Sequence, residues 1–216
     1  GVEISLMGKI PYVSRGGLKL EEALHSFKIS VQDKIAADLG ASTGGFTDCL
    51  LQKGARRVYA VDVDVKQLDW RLREDTRVVC IEKNARYLKR NDFSDSLDIV
   101  TMDLSFISVL KVLPAIKEFI GGGSLLSLIK PQFEVGKGQV GKKGVVRDRA
   151  LHQDVLKKIT REAMEIGFFP GGLIKSSFRG QRGNQEFFIL WTLGKESLDS
   201  EELQRVIKEA VWNEKN

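Results

Sequence analysis

The sequence predicts an α/β fold with a mostly parallel seven-stranded sheet, helices on both of its faces and an antiparallel last strand. Short apolar runs alternate with amphipathic or polar stretches, which is typical of strands joined by helical crossovers. The last two apolar runs are separated only by Phe178 to Gln185, too few residues for a helical crossover, which predicts an antiparallel pair. A chain of 216 residues is long enough for one such domain.

Seven segments have the length and the apolar content of buried strands. They are Ile35–Leu39, Arg57–Asp62, Val78–Glu82, Leu97–Asp103, Ser124–Ile129, Gly172–Ser177 and Glu186–Leu193. Six other stretches have helical spacing, and we expect Ser200 to be the N-cap of the last one. These are Gly17–Phe27, Gly45–Lys53, Val65–Arg73, Val109–Phe119, Leu151–Ile166 and Ser200–Trp212.

Composition narrows the protein class without identifying a function. The net charge of +5 and the pI near 9.1 are compatible with a polyanionic partner. No apolar run approaches the roughly 18 residues of a membrane-spanning helix, and the first residues do not resemble a signal peptide. Cys49 and Cys80 lack metal-type spacing, so we expect two buried, reduced thiols in a cytoplasmic protein.

A glycine-rich segment, residues 38–47, follows the first predicted strand and opens the next helix. Glycine allows close backbone approach to a ligand, and N–H groups at a helix start can bind a carboxylate. The Gly40-x-x-x-Gly44 spacing differs from the G-x-G-x-x-G of dinucleotide sites, which argues against a nicotinamide oxidoreductase. The predicted cofactor contacts in this loop are Asp38, Gly40, Ala41, Ser42, Thr43, Gly44, Gly45 and Phe46.

Two polar residues end the second and third predicted strands. Asp62 follows Gly40 by 22 residues (62 − 40), where a carboxylate can accept hydrogen bonds from both ribose hydroxyls of a cofactor. Asn84 is placed to contact an adenine. The alternatives are a helix cap for Asp62 and an Asx turn for Asn84. Together with the antiparallel last strand, this pattern favours S-adenosyl-L-methionine as the cofactor.

Ionisable residues gather at the carboxyl edge of the predicted sheet, where ligands of open α/β sheets bind. Asp103 and Lys130 close two strands, and Glu186 opens the antiparallel last strand at the same edge. Lys19, on an early helix, could reach this crevice. A lysine after an apolar strand needs a nearby carboxylate if it is buried. The pattern therefore fits either a reacting site or a structural ion pair of Lys130.

Six motifs, in order along the chain, resemble the TlyA family of FtsJ-like ribosomal RNA 2′-O-methyltransferases, historically labelled hemolysins. They are Ser14–Lys19, Asp38–Thr47, Asp103–Ile107, Lys130–Glu134, Gly144–Asp148 and Gly183–Glu186. The resemblance implies a Rossmann-like methyltransferase fold that uses S-adenosyl-L-methionine. It also implies that the Lys-Asp-Lys-Glu tetrad of FtsJ-like enzymes falls on Lys19, Asp103, Lys130 and Glu186.

The tetrad implies a division of roles. Lys130 would hold the ribose hydroxyl, either as a general base with a depressed pKa or as an electrostatic guide. Asp103 would orient Lys130 and sit beside the transferred methyl, while Glu186 and Lys19 would fix the ribose. We expect no metal, because His25 and His152 lie on helical stretches without ligand spacing.

The family usually carries an N-terminal S4-type RNA-binding domain, which nothing in this sequence matches. We therefore expect residues 1–13 to be a linker, residues 14–195 the methyltransferase domain, and residues 196–216 a C-terminal helix on it. Either this member lacks the S4-type domain or the sequence is a piece of a longer protein.

Basic residues beside the predicted crevice favour an RNA partner, and the resemblance implies that this partner is ribosomal RNA or ribosomal subunits. They are Arg15, Lys137, Lys142, Lys143, Arg147, Arg179 and Arg182. Solvated loops are the alternative for each basic run. Phe106, Phe133 and Trp70 could stack on a base, although core packing is the expectation for Phe106 and Trp70.

Two other function classes compete with RNA ribose methylation. A base N-methyltransferase often has an Asn/Asp-Pro-Pro-Tyr-type motif after the fourth strand, where this chain has Asp103-Leu104-Ser105-Phe106. A non-catalytic RNA-binding assembly factor or a membrane-lysing protein is the other class. The sequence shows no amphipathic cationic helix to support lysis.

Overall fold

The structure is a computed structural model that describes residues 10–136, 138–194 and 198–213. Seven strands form one sheet within these ranges: β1 Ile35–Leu39, β2 Arg57–Asp62, β3 Val78–Glu82, β4 Ile99–Met102, β5 Ser124–Ile129, β6 Phe168–Lys175 and β7 Phe187–Leu193. The α-helices are α1 Gly16–Ser26, α2 Gly45–Gln52, α3 Trp70–Arg73, α4 Leu113–Phe119, α5 Pro131–Glu134, α6 Arg149–Ile166 and α7 Ser200–Trp212.

The strand order is β3-β2-β1-β4-β5-β7-β6, and β1 to β5 are mutually parallel. β7 inserts between β5 and β6 and is antiparallel to both. The predicted fold class is therefore confirmed: a mostly parallel seven-stranded sheet with an antiparallel last strand. This order brings the carboxyl ends of β4 and β5 and the start of β7 to one edge.

Helices cover both faces of the sheet. Each face of the sheet has its own hydrophobic core, and alternate residues of β1 belong to different cores. In the first core, Ile35, Ala37 and Leu39 pack with residues of α4, α6 and α7. In the second core, Ala36 packs with residues of α1 and α2. The C-terminal α7 contributes buried Ile207, Ala210 and Val211 to the first core. Within the described ranges, no helix combines the length and apolar content needed to cross a membrane.

Two predicted helices are divided in the structure. Residues 65–73 form a 3₁₀ turn, Val65–Gln67, and the separate α3, because the carboxylates of Asp64 and Asp69 each cap a new start. Residues 109–119 form a 3₁₀ turn, Val109–Lys111, followed by α4, whose first turn contains a proline.

Three smaller predictions are wrong. The N-cap of α7 is Asp199, whose carboxylate accepts from the Glu202 N–H at 2.8 Å, and not Ser200. β6 begins at Phe168, four residues before the predicted start, because an edge strand accommodates Pro170 and the irregular register beside it. Cys49 is buried as expected, but Cys80 is exposed because β3 is the other edge strand.

Candidate active site

A cleft of about 790 Å³ opens at the carboxyl edge of the sheet. This volume lies in the range of small-molecule sites. The cleft is lined by the start of α1, the glycine-rich loop before α2, the residues after β4 and β5, and the loop before β7. All four residues of the predicted tetrad line it: Lys19, Asp103, Lys130 and Glu186.

Lys130 and Asp103 form the first ion pair of the cleft. The Lys130 Nζ lies 2.6 Å from Asp103 Oδ1 and donates to Ser105 Oγ at 3.0 Å. Lys130 directly follows β5 with an extended backbone, and Pro131 starts α5 at the next position. The side chains of Lys130 and Asp103 are 11% and 22% exposed, so the pair is largely shielded yet reachable from the cleft.

Lys19 and Glu186 form the second ion pair, across 2.5 Å. The Glu186 side chain is only 2% exposed, and burial raises its pKa, against the opposing effect of Lys19. The backbone at Gly180 closes over this carboxylate. A Cβ at Gly180 would lie 1.8 Å from Glu186 Oε1, so this close approach requires glycine. The sequence offered no signal for that contact.

The glycine-rich loop forms another part of the cleft wall. Gly40 has a φ of 87°, and a Cβ there would lie 2.6 Å from the Asp103 carbonyl oxygen. The loop therefore turns tightly beside the first ion pair, and α2 begins at Gly45 with its positive end toward this region. The predicted contacts that line the cleft are Gly40, Ala41, Ser42, Thr43, Gly45 and Phe46.

Asp38 and Gly44 are buried and do not line the cleft. Asp38 is fully buried and accepts hydrogen bonds from Thr47 Oγ1 at 2.7 Å and Thr101 Oγ1 at 3.3 Å. These contacts tie the start of the loop to α2 and β4. Burial raises the pKa of Asp38 to about 7, with the hydrogen bond from Thr47 opposing it.

The raised pKa of Asp38 predicts a pH-dependent stability. Between about pH 4 and 7 the folded protein binds a proton that the unfolded chain releases, so stability falls as pH rises by about 1.4 kcal/mol per unit. Asp38→Asn should flatten this part of the curve, measured by urea unfolding from pH 4.5 to 7.5. Asp154→Asn, at an exposed carboxylate, is the control. Parallel curves for wild type and Asp38→Asn would contradict the prediction.

Asp62 and Asn84 organise the neighbouring turns. Asp62 Oδ2 accepts from the Ser42 N–H at 2.8 Å, and its Oδ1 accepts from the Asp64 N–H at 3.2 Å. Asn84 is exposed, and its side-chain oxygen accepts from the Arg86 N–H at 3.0 Å, which is the Asx turn considered above. Neither residue lines the cleft. Their contacts with a cofactor stay predictions.

The basic residues divide into two groups. Arg15, Arg179 and Arg182 line the cleft and are exposed, whereas Lys143 and Arg147 are exposed beside it. Lys137 lies outside the described residues, as does the side chain of Lys142. The two basic loops are in contact, because the Arg182 guanidinium donates to the Lys143 carbonyl at 2.8 Å.

The expectation that Phe106 and Trp70 pack in the core is wrong. Phe106 is 88% exposed and Trp70 is 66% exposed. Phe106 follows β4 in a left-handed backbone conformation, with a φ of 64°, which turns its side chain out of the core. Its ring contacts that of Phe133, with centroids 4.9 Å apart.

Both histidines lie on helices, His25 exposed on α1 and His152 buried on α6.

Sequence reasoning missed two residues that organise this site, Ser105 and Glu134. Ser105 Oγ accepts a hydrogen bond from the Lys130 Nζ, which also pairs with Asp103. The buried Glu134 accepts a hydrogen bond from the Val109 N–H at 2.8 Å. Both lie in motifs that the resemblance singled out, but only the tertiary contacts reveal their partners.

Across the described part of the chain, no group of three or more His, Cys, Asp or Glu residues is placed to hold a metal ion.

Comparison with known proteins agrees with this architecture. Residues 12–192 match the FtsJ-like methyltransferase family. YqxC of Bacillus subtilis, whose name describes an rRNA methyltransferase, is 48% identical over 207 residues, which cover 92% of this chain and 74% of that protein. The 16S/23S rRNA (cytidine-2′-O)-methyltransferase TlyA of Mycobacterium tuberculosis is 44% identical over 206 residues, covering 93% and 76%.

A solved structure from Streptococcus thermophilus, described as a hemolysin, superposes with a TM-score of 0.88 at 43% identity. The match covers 94% of this chain and 76% of that one. The family match spans most of the chain, and the relatives confirm the resemblance seen in the motifs. The chain therefore belongs to the FtsJ-like methyltransferases, within the TlyA family.

Proposed function

We propose that this methyltransferase uses S-adenosyl-L-methionine to methylate ribose 2′-hydroxyls of ribosomal RNA. The observation that carries the proposal is the convergence of two ion pairs, Lys130–Asp103 and Lys19–Glu186, on one cleft beside the glycine-rich loop. The names of the relatives YqxC and TlyA support ribosomal RNA as the substrate class.

The glycine-rich wall fits S-adenosyl-L-methionine. Gly40, Ala41 and Ser42 line the cleft, and they would approach the cofactor through their backbone. Position 40 has no room for a side chain, because a Cβ there would collide with the Asp103 carbonyl. The start of α2 would face its carboxylate. When bound, S-adenosyl-L-methionine supplies an electrophilic methyl group on a sulfonium centre.

The residues of the cleft then have to make a ribose hydroxyl nucleophilic. The Lys130 Nζ would hold the hydroxyl oxygen and stabilise the alkoxide character that develops as the hydroxyl proton leaves, either to a neutral Lys130 amine or to solvent. The oxygen would form the new C–O bond while the bond from the methyl carbon to sulfur breaks, its electron pair staying on sulfur. Asp103 and Ser105 hold the Lys130 Nζ in place. Lys19 and Glu186 line the same cleft, where Glu186 interacts electrostatically with Lys130 and Asp103, and they can hold the ribose. Such positioning supplies a large share of the rate.

RNA binding is supported by the charge and the aromatic residues around the cleft. Arg15, Arg179 and Arg182 can contact phosphates at its mouth. The exposed ring of Phe106 directly follows Ser105, which lines the cleft, and offers a face on which a base could stack.

The direct test is incubation with labelled S-adenosylmethionine and isolated ribosomal subunits. The label should map to a ribose by primer extension sensitive to 2′-O-methylation. Label on a base or on protein would overturn the substrate class. The absence of label on every subunit and on free ribosomal RNA would favour a non-catalytic role. In a separate assay, lysis of erythrocytes by the purified protein would support the hemolysin alternative.

A salt titration tests the phosphate contacts. Replacing Arg179 and Arg182 with glutamine should reduce the steepness of log Kd against log salt by about 1.4, since each phosphate contact on a single strand contributes about 0.7. Filter binding with subunits from 50 to 300 mM KCl, roughly the range over which such contacts weaken, measures the slope. Arg161→Gln, on the exposed face of α6, is the control. An unchanged slope in the double variant would argue against phosphate binding.

A further inference from the structure

We infer that Glu134 is a positioning residue for the proposed methyl transfer. Its buried carboxylate fixes residues 103–109 against α5, which keeps Asp103 in place beside Lys130. This inference rests on the proposed function and deepens it by naming what holds the reacting ion pair. Glu134 itself lies behind the wall of the cleft, which Gln132 and Phe133 form.

Two segments leave neighbouring strands and remain in contact along their length. Residues 103–109 follow β4, and residues 130–134 follow β5. At the cleft end, Lys130 contacts Asp103 and Ser105. In the middle, the Phe106 and Phe133 rings meet at an interplanar angle of 49°. At the far end, the Val109 side chain is buried in the core that includes α4, so what this end still needs is a partner for its backbone N–H.

Glu134 supplies the anchor at the far end. Its Oε1 accepts from the Val109 N–H at 2.8 Å, and the neighbouring Ser108 side chain favours the charged form of the same carboxylate. Glu134 is only 8% exposed, and burial raises its pKa. A buried carboxylate is costly unless it is hydrogen-bonded, so these two contacts account for its presence.

The segment needs such an anchor because its backbone is strained. Phe106 has a φ of 64°, a region that bulky side chains seldom occupy. Strained conformations persist only where the surrounding structure over-determines them. With both ends held, the Asp103 carboxylate and the Phe106 ring have one arrangement. Without Glu134, we expect the segment to relax and Asp103 to leave the position that orients Lys130.

The kinetic test compares Glu134→Leu with Glu134→Gln. Leucine removes the acceptor, and we expect kcat to fall by roughly 10²-fold, the effect of a displacement of about 1 Å at a reacting group. The fall in kcat should exceed any change in Kd for S-adenosylmethionine or in KM for RNA, since Glu134 bonds the Val109 N–H and does not line the cleft. Glutamine keeps a carbonyl acceptor and should retain at least roughly a third of kcat.

Two results would overturn the inference. One is a kcat of Glu134→Leu within about threefold of wild type, and the other is an equal loss in both variants, which would implicate the charge and not the hydrogen bond. Thr160→Val is the matched control. It removes a buried hydroxyl that bonds only within α6 and should lower stability without changing kcat.

The partner side of the bond gives a reciprocal test. Val109→Pro removes the N–H that Glu134 accepts, at the first residue of a 3₁₀ turn after the extended Ser108, where proline is tolerated. Alone, Val109→Pro should lower kcat at least about tenfold, but in the Glu134→Leu background it should add less than about twofold. Fully additive losses would overturn the inference.

Hydrogen exchange tests the anchor without any assay of activity. In Glu134→Leu, the Val109 amide, whose N–H donates to Glu134 in the wild type, should exchange at least about tenfold faster, while the amides of α6 are unchanged. Unchanged exchange at Val109 would overturn the inference even if the protein methylates nothing. A wild-type protein that lacks ribose methylation but shows the faster exchange on substitution would instead overturn only the proposed function.

Discussion

Replacing Lys130 with alanine is expected to lower ribose methylation by roughly 10²- to 10⁴-fold, the range attributed to a positioned proton-transfer group. The Lys130 Nζ is the cation of the first ion pair, between Asp103 and Ser105, and no other cation contacts either residue in the described ranges. The substitution leaves the glycine-rich loop intact, so the affinity for S-adenosylmethionine should stay within about twofold.

Single-turnover transfer and calorimetric binding of the cofactor measure the two quantities separately. Lys34→Ala is the matched control, because Lys34 also pairs with an aspartate, Asp98, but at the opposite edge of the sheet. Lys130→Arg adds a further distinction, since a guanidinium keeps the charge but cannot accept a proton. Full methyltransferase activity of Lys130→Ala would contradict the role of Lys130 as the residue that holds the ribose hydroxyl.

Replacing Glu186 with glutamine should have the second-largest effect, on stability as well as on activity. The Lys19 side chain is 11% exposed and would lose its carboxylate partner. Breaking a buried pair from one side costs about 3 kcal/mol or more, which corresponds to a fall in Tm of roughly 6–12 °C for a domain of this size. Methyl transfer should fall at least about tenfold, because the ribose side of the cleft is no longer held.

The double variant Lys19→Met/Glu186→Gln separates these effects. Removing both charges should restore most of the lost stability, since the penalty of an unpaired buried charge disappears, while activity stays low. Glu21→Gln, on the same helix as Lys19, breaks an exposed pair with Lys53 and should change stability by less than about 1 kcal/mol. A Glu186→Gln variant as stable as wild type would contradict the role of this pair.

The sequence was sufficient for most of the fold. The bounds of β1, β2, β3 and β5 are those predicted, because parallel strands covered on both faces appear as continuous apolar runs. The weaker predictions concern local caps and edges. Asp64 and Asp69 divide a predicted helix through side-chain hydrogen bonds, and hydrophobic periodicity carries no information about such contacts.

The exposure of two aromatic side chains could not be predicted from residue type. Phe106 and Trp70 are large and apolar, and burial is the usual outcome for such side chains. Phe106 instead follows the carboxyl end of β4 with a left-handed backbone, and Trp70 begins the short α3 with its side chain exposed. Cys80 is exposed for a related reason, since only the sheet order makes β3 an edge.

By itself, the sequence determined the α/β fold, the glycine-rich loop and the four ionisable residues at one edge of the sheet, because strand ends and chain order fix that edge. Only the tertiary structure decided how those residues pair. Lys19 reaches Glu186 across 167 positions of sequence, and Lys130 meets Ser105 across 25. Glu186 comes to the cleft because β7 lies beside β5, and Ser105 meets Lys130 because β4 lies beside β5. No local pattern encodes which carboxylate each lysine will contact.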